Sequence, residues 1–459
     1  MDFSHVNTDL WNFMIQIGIL CGILLLANTI RRKTPGLNKL LMPTAVIAGF
    51  IALFLRVFNI FDIQVNVMEV VTYHTIAIGY IALTLIIPKR EASASKVLIG
   101  SKTGALIVST YLIQAIFGLI ISIALVYTVR PDLFMASGVL LPMGYGQGPG
   151  QANNLGSAYE SMGFYGGQSF ALSIAAMGFL VACTVGVIYL NFLKRKNLIT
   201  RRSFDPNAQE IPTIEEFEDK NEIPISESMD RFSVQVALVL FVYFAMWAIC
   251  RFFTNILLNA DSNLARSIIF VLWGFNFLFG ALLASAVRGI IKLLRKKGLM
   301  NRQYINNYLL GRIGGFSFDI MIIAGICSIN FEKLSGLWLP FILMCIVGAI
   351  ITFFFLHWIC KKLYPTYFYE AFLCLFGTLT GIISSGILLL READPRFETP
   401  IVSDMILGVT FAAGLGFPML ILCGLAPQST EMLFIVFGIF IAYFLLLLLY
   451  MLKFKGKKI

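Results

Sequence analysis

The feature that limits this chain most is a succession of long, nearly uncharged apolar runs. Eleven of them, at residues 10–30, 41–58, 69–87, 103–128, 168–193, 233–258, 265–291, 305–330, 334–360, 400–424 and 432–452, approach the about 20 residues that a helix needs to cross about 30 Å of hydrocarbon. Lipid offers backbone N–H and C=O groups no partners, so runs of this kind satisfy themselves as helices. The expected fold class is an all-α integral membrane protein. Composition points the same way, with 58% hydrophobic and 13% charged residues and a mean hydropathy of +0.83, whereas a soluble domain carries about 25% charged residues. That charge is too little to cover a water-facing surface, which excludes a cytosolic enzyme, a secreted disulfide scaffold and a disordered chain. The eight cysteines lie in or beside apolar segments without CxxC spacing and read as small hydrophobes. Asp2 and Asp9 precede the first basic residue, Arg31, so no cleavable signal peptide is expected.

A net charge of +10 could indicate nucleic-acid binding, but the basic residues fall in short clusters between apolar runs. That is the pattern of cytoplasmic loops under the positive-inside rule, and nucleic acid is not an expected partner. Two further stretches, 132–160 and 367–390, are apolar at their flanks and broken inside by glycines and polar residues. If both enter and leave on the same side, every Lys and Arg except Arg56, Arg130, Arg251, Arg266 and Lys333 falls on one face. Charge parity therefore favours two re-entrant hairpins over kinked spans. The order becomes five spans with a hairpin between the fourth and fifth, repeated from the opposite side, with one C-terminal helix appended. An odd number of spans inverts a repeat, as in many secondary transporters.

The expected organisation is a first repeat at 1–193 with its hairpin at 132–160, a cytoplasmic linker at 194–232, an inverted second repeat at 233–424 with its hairpin at 367–390, and an extra helix with a basic tail at 425–459. Placed in the cell inner (plasma) membrane, the N-terminus is expected outside and the C-terminus in the cytoplasm.

The first hairpin reads Met143-Gly144-Tyr145-Gly146-Gln147-Gly148-Pro149-Gly150-Gln151-Ala152-Asn153-Asn154. Broken backbone at membrane depth is tolerated only where protein, water or a ligand satisfies it. The candidate solute-binding residues here are Gly146, Gln147, Gly148, Gly150, Gln151, Asn153 and Asn154. The competing reading is a tight, ligand-free helix contact bridged by amides. The second hairpin, Gly377-Thr378-Leu379-Thr380-Gly381-Ile382-Ile383-Ser384-Ser385-Gly386, adds Thr378, Thr380, Gly381, Ser384 and Ser385. Its hydroxyls suit Na⁺, or simply bond back to their own helix. Asp319, in the middle of the eighth span, is a candidate cation or proton site, because a carboxylate there is costly unless paired or hydrated. Coupling is assigned to Asp319, Thr380, Ser384 and Ser385. Asp404, His74 and Arg391 are weaker candidates.

No enzyme is expected. His5, His74 and His357 form no close ligand pair, Gly414-Leu415-Gly416-Phe417 has no aspartate after it, and Walker A and GxSxG motifs are absent. Without an ATP engine, an ion gradient is the natural energy source, and no cofactor beyond Na⁺ as coupling ion is expected.

Three stretches give the sequence a resemblance to the bacterial sodium:glutamate symporter family: Met42-Pro43-Thr44-Ala45-Val46-Ile47-Ala48-Gly49, the glycine-rich first hairpin, and Gly377 to Pro395 with its TG, SG and LLREADP elements. Tyr145 stands where better-known members carry a histidine. The resemblance implies a Na⁺-coupled importer of glutamate or a related acidic solute, with inverted five-helix repeats whose hairpins meet near the substrate. The expected partners are that small solute, Na⁺ and the lipid bilayer, and a homodimer is among the assemblies allowed. The alternatives are a proton-coupled or exchange carrier for another organic acid and, from a different class, a channel.

Overall fold

A computed structural model describes residues 8–34, 41–87, 94–199, 230–258, 269, 272–300, 302–394 and 399–453. Most of the expected linker, part of the basic tail and the start of the expected seventh span lie outside the described residues. The helices are α1 Thr8–Lys33, α2 Thr44–Val57, α3 Val65–Leu85, α4 Ala94–Thr128, α5 Leu140–Tyr145, α6 Pro149–Ser161, α7 Gly167–Arg195, α8 Arg231–Leu258, α9 Asn276–Lys296, α10 Asn307–Cys327, α11 Trp338–Leu363, α12 Phe368–Thr380, α13 Ile383–Ala393, α14 Ile401–Leu425 and α15 Thr430–Lys453, with a 3-10 turn at Met135–Val139 before α5. Ten helices among the described residues are long and apolar enough to span a bilayer. The protein is an all-helical polytopic membrane protein.

The expected runs and the helices agree broadly in position, with two departures among the described residues: the seventh run is broken at Phe275, so that α9 starts only at Asn276 and runs on to Lys296, and the second run is shortened. The second run forms only the 14-residue α2, because Pro43 fixes its start by accepting from the N–H groups of Val46 and Ile47. Both glycine-broken stretches are broken in the structure, as α5 and α6 flanking 146–148 and as α12 and α13 flanking 381–382.

The chain forms two compact units, one of Met1–Glu69, Ala92–Ser203 and Ile322–Ile459, the other of Val70–Glu91 and Phe204–Met321. In the first, the 35-residue α4 is the central element. It packs on α11, α14, α15 and the 3-10 turn with α5, while α7 packs on α5, α6, α12 and α13. In the second, Ile81, Ala82, Leu85, Val239, Val242, Ala284, Ile305 and Leu310 form a buried core from α3, α8, α9 and the start of α10. Asn307 exchanges two hydrogen bonds with the Ile87 backbone, at 2.8 and 2.7 Å.

One small device occurs twice, once in each unit. Gln16 of α1 donates through Nε2 to the Asp62 carbonyl at 2.7 Å, and its Oε1 accepts the Gln64 N–H at 3.2 Å. Gln235 of α8 donates through Nε2 to the Tyr304 carbonyl at 2.6 Å, and its Oε1 accepts the Asn306 N–H at 3.1 Å. Each buried glutamine grips the same two backbone positions, the third and the first residue ahead of a helix, α3 for Gln16 and α10 for Gln235. A second correspondence accompanies it: Gly49 of α2 packs against Ile326 of α10, and Gly280 of α9 packs against Ile81 of α3. Each clamp pairs a donor and an acceptor that lipid would leave unsatisfied at several kcal/mol per group.

Candidate functional site

α4 serves as a ruler for the two broken helix pairs. Near its C-terminal end, Ser122 Oγ donates to the Met135 carbonyl at 2.7 Å, where the first pair begins. Near its N-terminal end, Thr103 Oγ1 lies 2.7 Å from the Tyr364 hydroxyl, just ahead of the second pair. Gln114 lies between, about 16 Å from Thr103 and about 12 Å from Ser122 at about 1.5 Å per residue. Both breaks reach it: Nε2 donates to the Leu379 carbonyl at 3.1 Å and to Thr352 Oγ1 of α11 at 2.8 Å. The side chain also sets Oε1 against Gly146, where an added Cβ would stand 3.0 Å from that oxygen. The pairs therefore approach Gln114 from opposite ends of α4.

In each pair the two segments come back into contact. The Phe134 ring, before the first pair, lies 5.0 Å from Phe164 and 5.5 Å from Tyr159, after and near the end of that pair. In the second pair, Gly386 of α13 fits against the Cys374 carbonyl and Thr378 of α12 so closely that any Cβ would overlap them.

The breaks also touch. Gly148 has φ 84°, a left-handed value that costs other L-residues about 1–2 kcal/mol. A Cβ on it would meet Ile382 at 3.2 Å. Gly178 of α7 leaves no room for a Cβ beside the Thr380 carbonyl. Two helix C-terminal ends (α5 and α12) and two N-terminal ends (α6 and α13) thus converge on one region, with carbonyl ends favouring positive charge and N–H ends favouring negative charge.

The expected polar residues of the first break are placed as follows. Gln151 is fully buried, and neither its Oε1 nor its Nε2 has a partner among the described residues. Asn153 is buried and accepts from Gln168 Nε2 at 2.8 Å; Asn154 is buried, and Gln147 is half-buried. Gly146 and Gly148 flank the break, and Gly150 lies in the first turn of α6. Tyr145 is buried and donates to the Cys345 carbonyl at 2.7 Å.

In the second break, the Thr378 and Thr380 hydroxyls donate to the carbonyls of Cys374 and Phe376 at 2.8 and 2.7 Å, one turn back on their own helix. Ser384 is exposed, whereas Ser385 Oγ is buried without a partner beside Gly381. A buried polar atom left unpaired costs about 1–3 kcal/mol, and Gln151, Ser385 and Gln114 Oε1 carry that cost at the breaks, as the Ser109 and Ser137 hydroxyls do elsewhere among the described residues.

Asp319 lies on α10 in the other compact unit, partly buried, so the structure does not group it with the breaks. Of the weaker candidates, Asp404 accepts from the Tyr367 hydroxyl at 2.7 Å, and His74 Nδ1 lies 2.6 Å from the Tyr243 hydroxyl. Glu392, beside Arg391, pairs with Lys194 at 2.9 Å. At the base of the first pair, Lys333 pairs with Glu160 at 2.7 Å. Arg130 binds Asp132 and the Gly336 carbonyl, and its hydrogen bond holds the Asp132 carboxyl down to about 2.

Sequence reasoning missed Gln114, Gly178 and the two clamping glutamines. A signal for Gln114 existed, since it is the one side-chain amide in the run 103–128, and an amide in lipid needs partners.

Compared with protein-family models and with curated proteins, the chain matches none. Fold and site define a multi-pass, all-helical membrane protein whose architecture is consistent with a secondary transporter.

Proposed function

We propose that the chain is a sodium-coupled symporter that imports glutamate or a related acidic solute by alternating access. The reading takes the fold as two inverted repeats of five spans, each with one re-entrant hairpin, followed by α15. The paired Gln16 and Gln235 clamps support the repeat, and the opposite approach of the two helix pairs along α4 supports its inversion. The observation that carries the function is the convergence of both breaks at Gln114; the Gln151 amide, in the first turn of α6, is buried without a partner among the described residues. Broken backbone at mid-depth is useful where a polar cargo crosses, and this is where transporter sites are found.

In this mechanism the solute carboxylates meet the N-terminal ends of α6 and α13 and the amides of Gln147, Gln151, Asn153 and Asn154. Na⁺ takes backbone carbonyls and the hydroxyl oxygens of Ser384 and Ser385, the Thr380 hydroxyl being spent on the Phe376 carbonyl, and its charge raises affinity for the acidic solute. One hairpin-bearing core then moves against a more static scaffold. The test is uptake of radiolabelled glutamate and a panel of small acids by liposomes holding the purified protein, with a Na⁺ gradient in one arm and choline in the other. Na⁺-stimulated uptake is expected; no stimulation for any acid would sink the reading.

A second reading, a proton-coupled or exchange carrier for another organic acid, draws on Asp319, a carboxylate in mid-helix whose burial comes with no ion pair among the described residues. Uptake that ignores Na⁺ and follows a pH gradient would select it.

A further inference from the structure

Gln114 has two polar ends, and only one of them is hydrogen-bonded among the described residues. Its Nε2 has both hydrogens engaged, on Thr352 Oγ1 and on the Leu379 carbonyl. Because a carbonyl can only accept, that second bond fixes which way the amide points. Oε1 is thereby held toward Gly146, is buried, and has no donor among the described residues. Side-chain rotation cannot bring it one, since the Nε2 bonds would be lost.

The surroundings say what kind of group would satisfy this oxygen. Gly146 is the residue that ends α5, and Leu379 lies in the last turn of α12. Gln114 therefore stands between two helix C-terminal ends, each the negative end of a helix dipole. An anion there would face carbonyl oxygens and the lone pairs of Oε1, and an apolar group would leave them unpaired. A small cation satisfies all of them, and neutral amide and carbonyl oxygens are the ligands that hard monovalent cations take.

We propose that Gln114 Oε1 is a direct ligand for a compact cationic group held between the C-terminal ends of α5 and α12, this group being either Na⁺ or the ammonium of the transported solute. The proposal rests on the symporter reading and deepens it by adding a ligand from α4, outside both hairpins. Nε2 sets the oxygen in place, and Thr352 acts only as a positioning residue for that amide. Binding a cation here also ties the two breaks together through one side chain.

The experiment uses the full chain in liposomes and measures the Na⁺ concentration for half-maximal uptake, together with inhibition by glutamate and by glutarate, which lacks the ammonium. For Gln114→Leu, a half-maximal Na⁺ concentration raised at least tenfold, with glutamate and glutarate inhibition at saturating Na⁺ unchanged, assigns the cation as Na⁺. Inhibition by glutamate weakened at least tenfold, with glutarate and Na⁺ unchanged, assigns it as the solute's ammonium. Gln114→Glu, which keeps an oxygen and adds negative charge but gives up the donor bond to the Leu379 carbonyl, is expected to shift the same parameter less than Gln114→Leu does, and a shift as large as that of Gln114→Leu would mean a structural role. Thr352→Val, which removes only the positioning bond, is expected to shift it less than threefold. If Gln114→Leu transports with wild-type parameters for all three ligands, the assignment is overturned while the symporter reading stands. If the wild-type chain shows no Na⁺ stimulation with any acid, the symporter reading falls and this assignment falls with it.

Discussion

The two broken helix pairs solve one problem in different ways. The second is closed upon itself, with Gly377 and Gly386 letting α12 and α13 lie backbone to backbone. The first is held by its neighbours: the segment that includes α5 packs on α4 and α7, and α6 packs along α7. Their polar groups differ in the same sense. Thr378 and Thr380 bond back to their own helix, whereas the Gln151 amide is buried with no partner among the described residues. The closed pair thus leaves one buried hydroxyl, Ser385, without a partner among the described residues, and the open pair leaves the whole Gln151 amide so.

The largest expected effect breaks the closed pair. In Gly386→Ala the new methyl overlaps the Cys374 carbonyl and Thr378, which neither backbone can yield without separating the arms. A loss of about 3 kcal/mol is expected, at the upper end for overpacking, read as a lowered melting temperature and lost uptake. Gly438→Ala has nothing within 4 Å and serves as the control. A Gly386→Ala protein melting with wild type would show that the arms are not in close contact.

Next in size is a loss of activity without a loss of stability, confined to the open pair. Gln151→Leu replaces an unpartnered buried amide by an apolar side chain of similar size. Stability should be unchanged or higher by about 1 kcal/mol, since the desolvation cost of the amide disappears, while solute uptake falls at least tenfold. A lowered melting temperature in Gln151→Leu would mean that the amide has protein partners and that the contrast between the pairs is wrong.

The hydroxyls sharpen the contrast further. Thr380→Val keeps shape and removes a hydroxyl already spent on Phe376, so uptake should change less than twofold with a stability cost of about 0.5–1 kcal/mol. Ser385→Ala removes a buried hydroxyl that has no partner and should cost activity severalfold with little effect on melting. Equal behaviour of the two variants would erase the distinction drawn between their oxygens.

Much of this was legible in the sequence because lipid leaves few options. Apolar runs of spanning length had to be helices, and glycine-dense stretches such as 144–150 could not continue one, so helix positions and both breaks follow from composition along the chain. What the sequence could not reveal is which polar atoms remain unpaired. Thr380 and Ser385 look alike as residues, and only the local helix geometry sends one hydroxyl to Phe376 and leaves the other free of partners. Gln114 was hidden for a similar reason, since its role comes from Leu379 and Gly146, far away in sequence. The clamps at Gln16 and Gln235 escaped too: each is a single amide, and the repeat they share lies in backbone partners that no residue pattern marks.

The smallest expected effect concerns how the two pairs are tied down at their bases. The open pair ends at Glu160, paired with Lys333, and the closed pair ends near Glu392, paired with Lys194. If the open pair depends on outside support, the first ion pair should contribute more. Glu160 is also less exposed than Glu392, so its pair is screened less by salt. Double-mutant cycles with Lys333→Met and Glu160→Gln, and with Lys194→Met and Glu392→Gln, should give about 1 kcal/mol and about 0.3 kcal/mol of coupling, within the range of such pairs. The Glu160 hydrogen bond raises Lys333 above the ordinary lysine value. A raised lysine contributes stability that is fully present below its unfolded value and lost only as pH climbs through the folded one. The Lys333 share of the coupling should therefore be unchanged across neutral and mildly alkaline pH and should fade only in strong alkali. A Lys194 coupling equal to or greater than that of Lys333 would mean that the open pair needs no more anchoring than the closed one, and the difference between them would then lie in their polar groups alone.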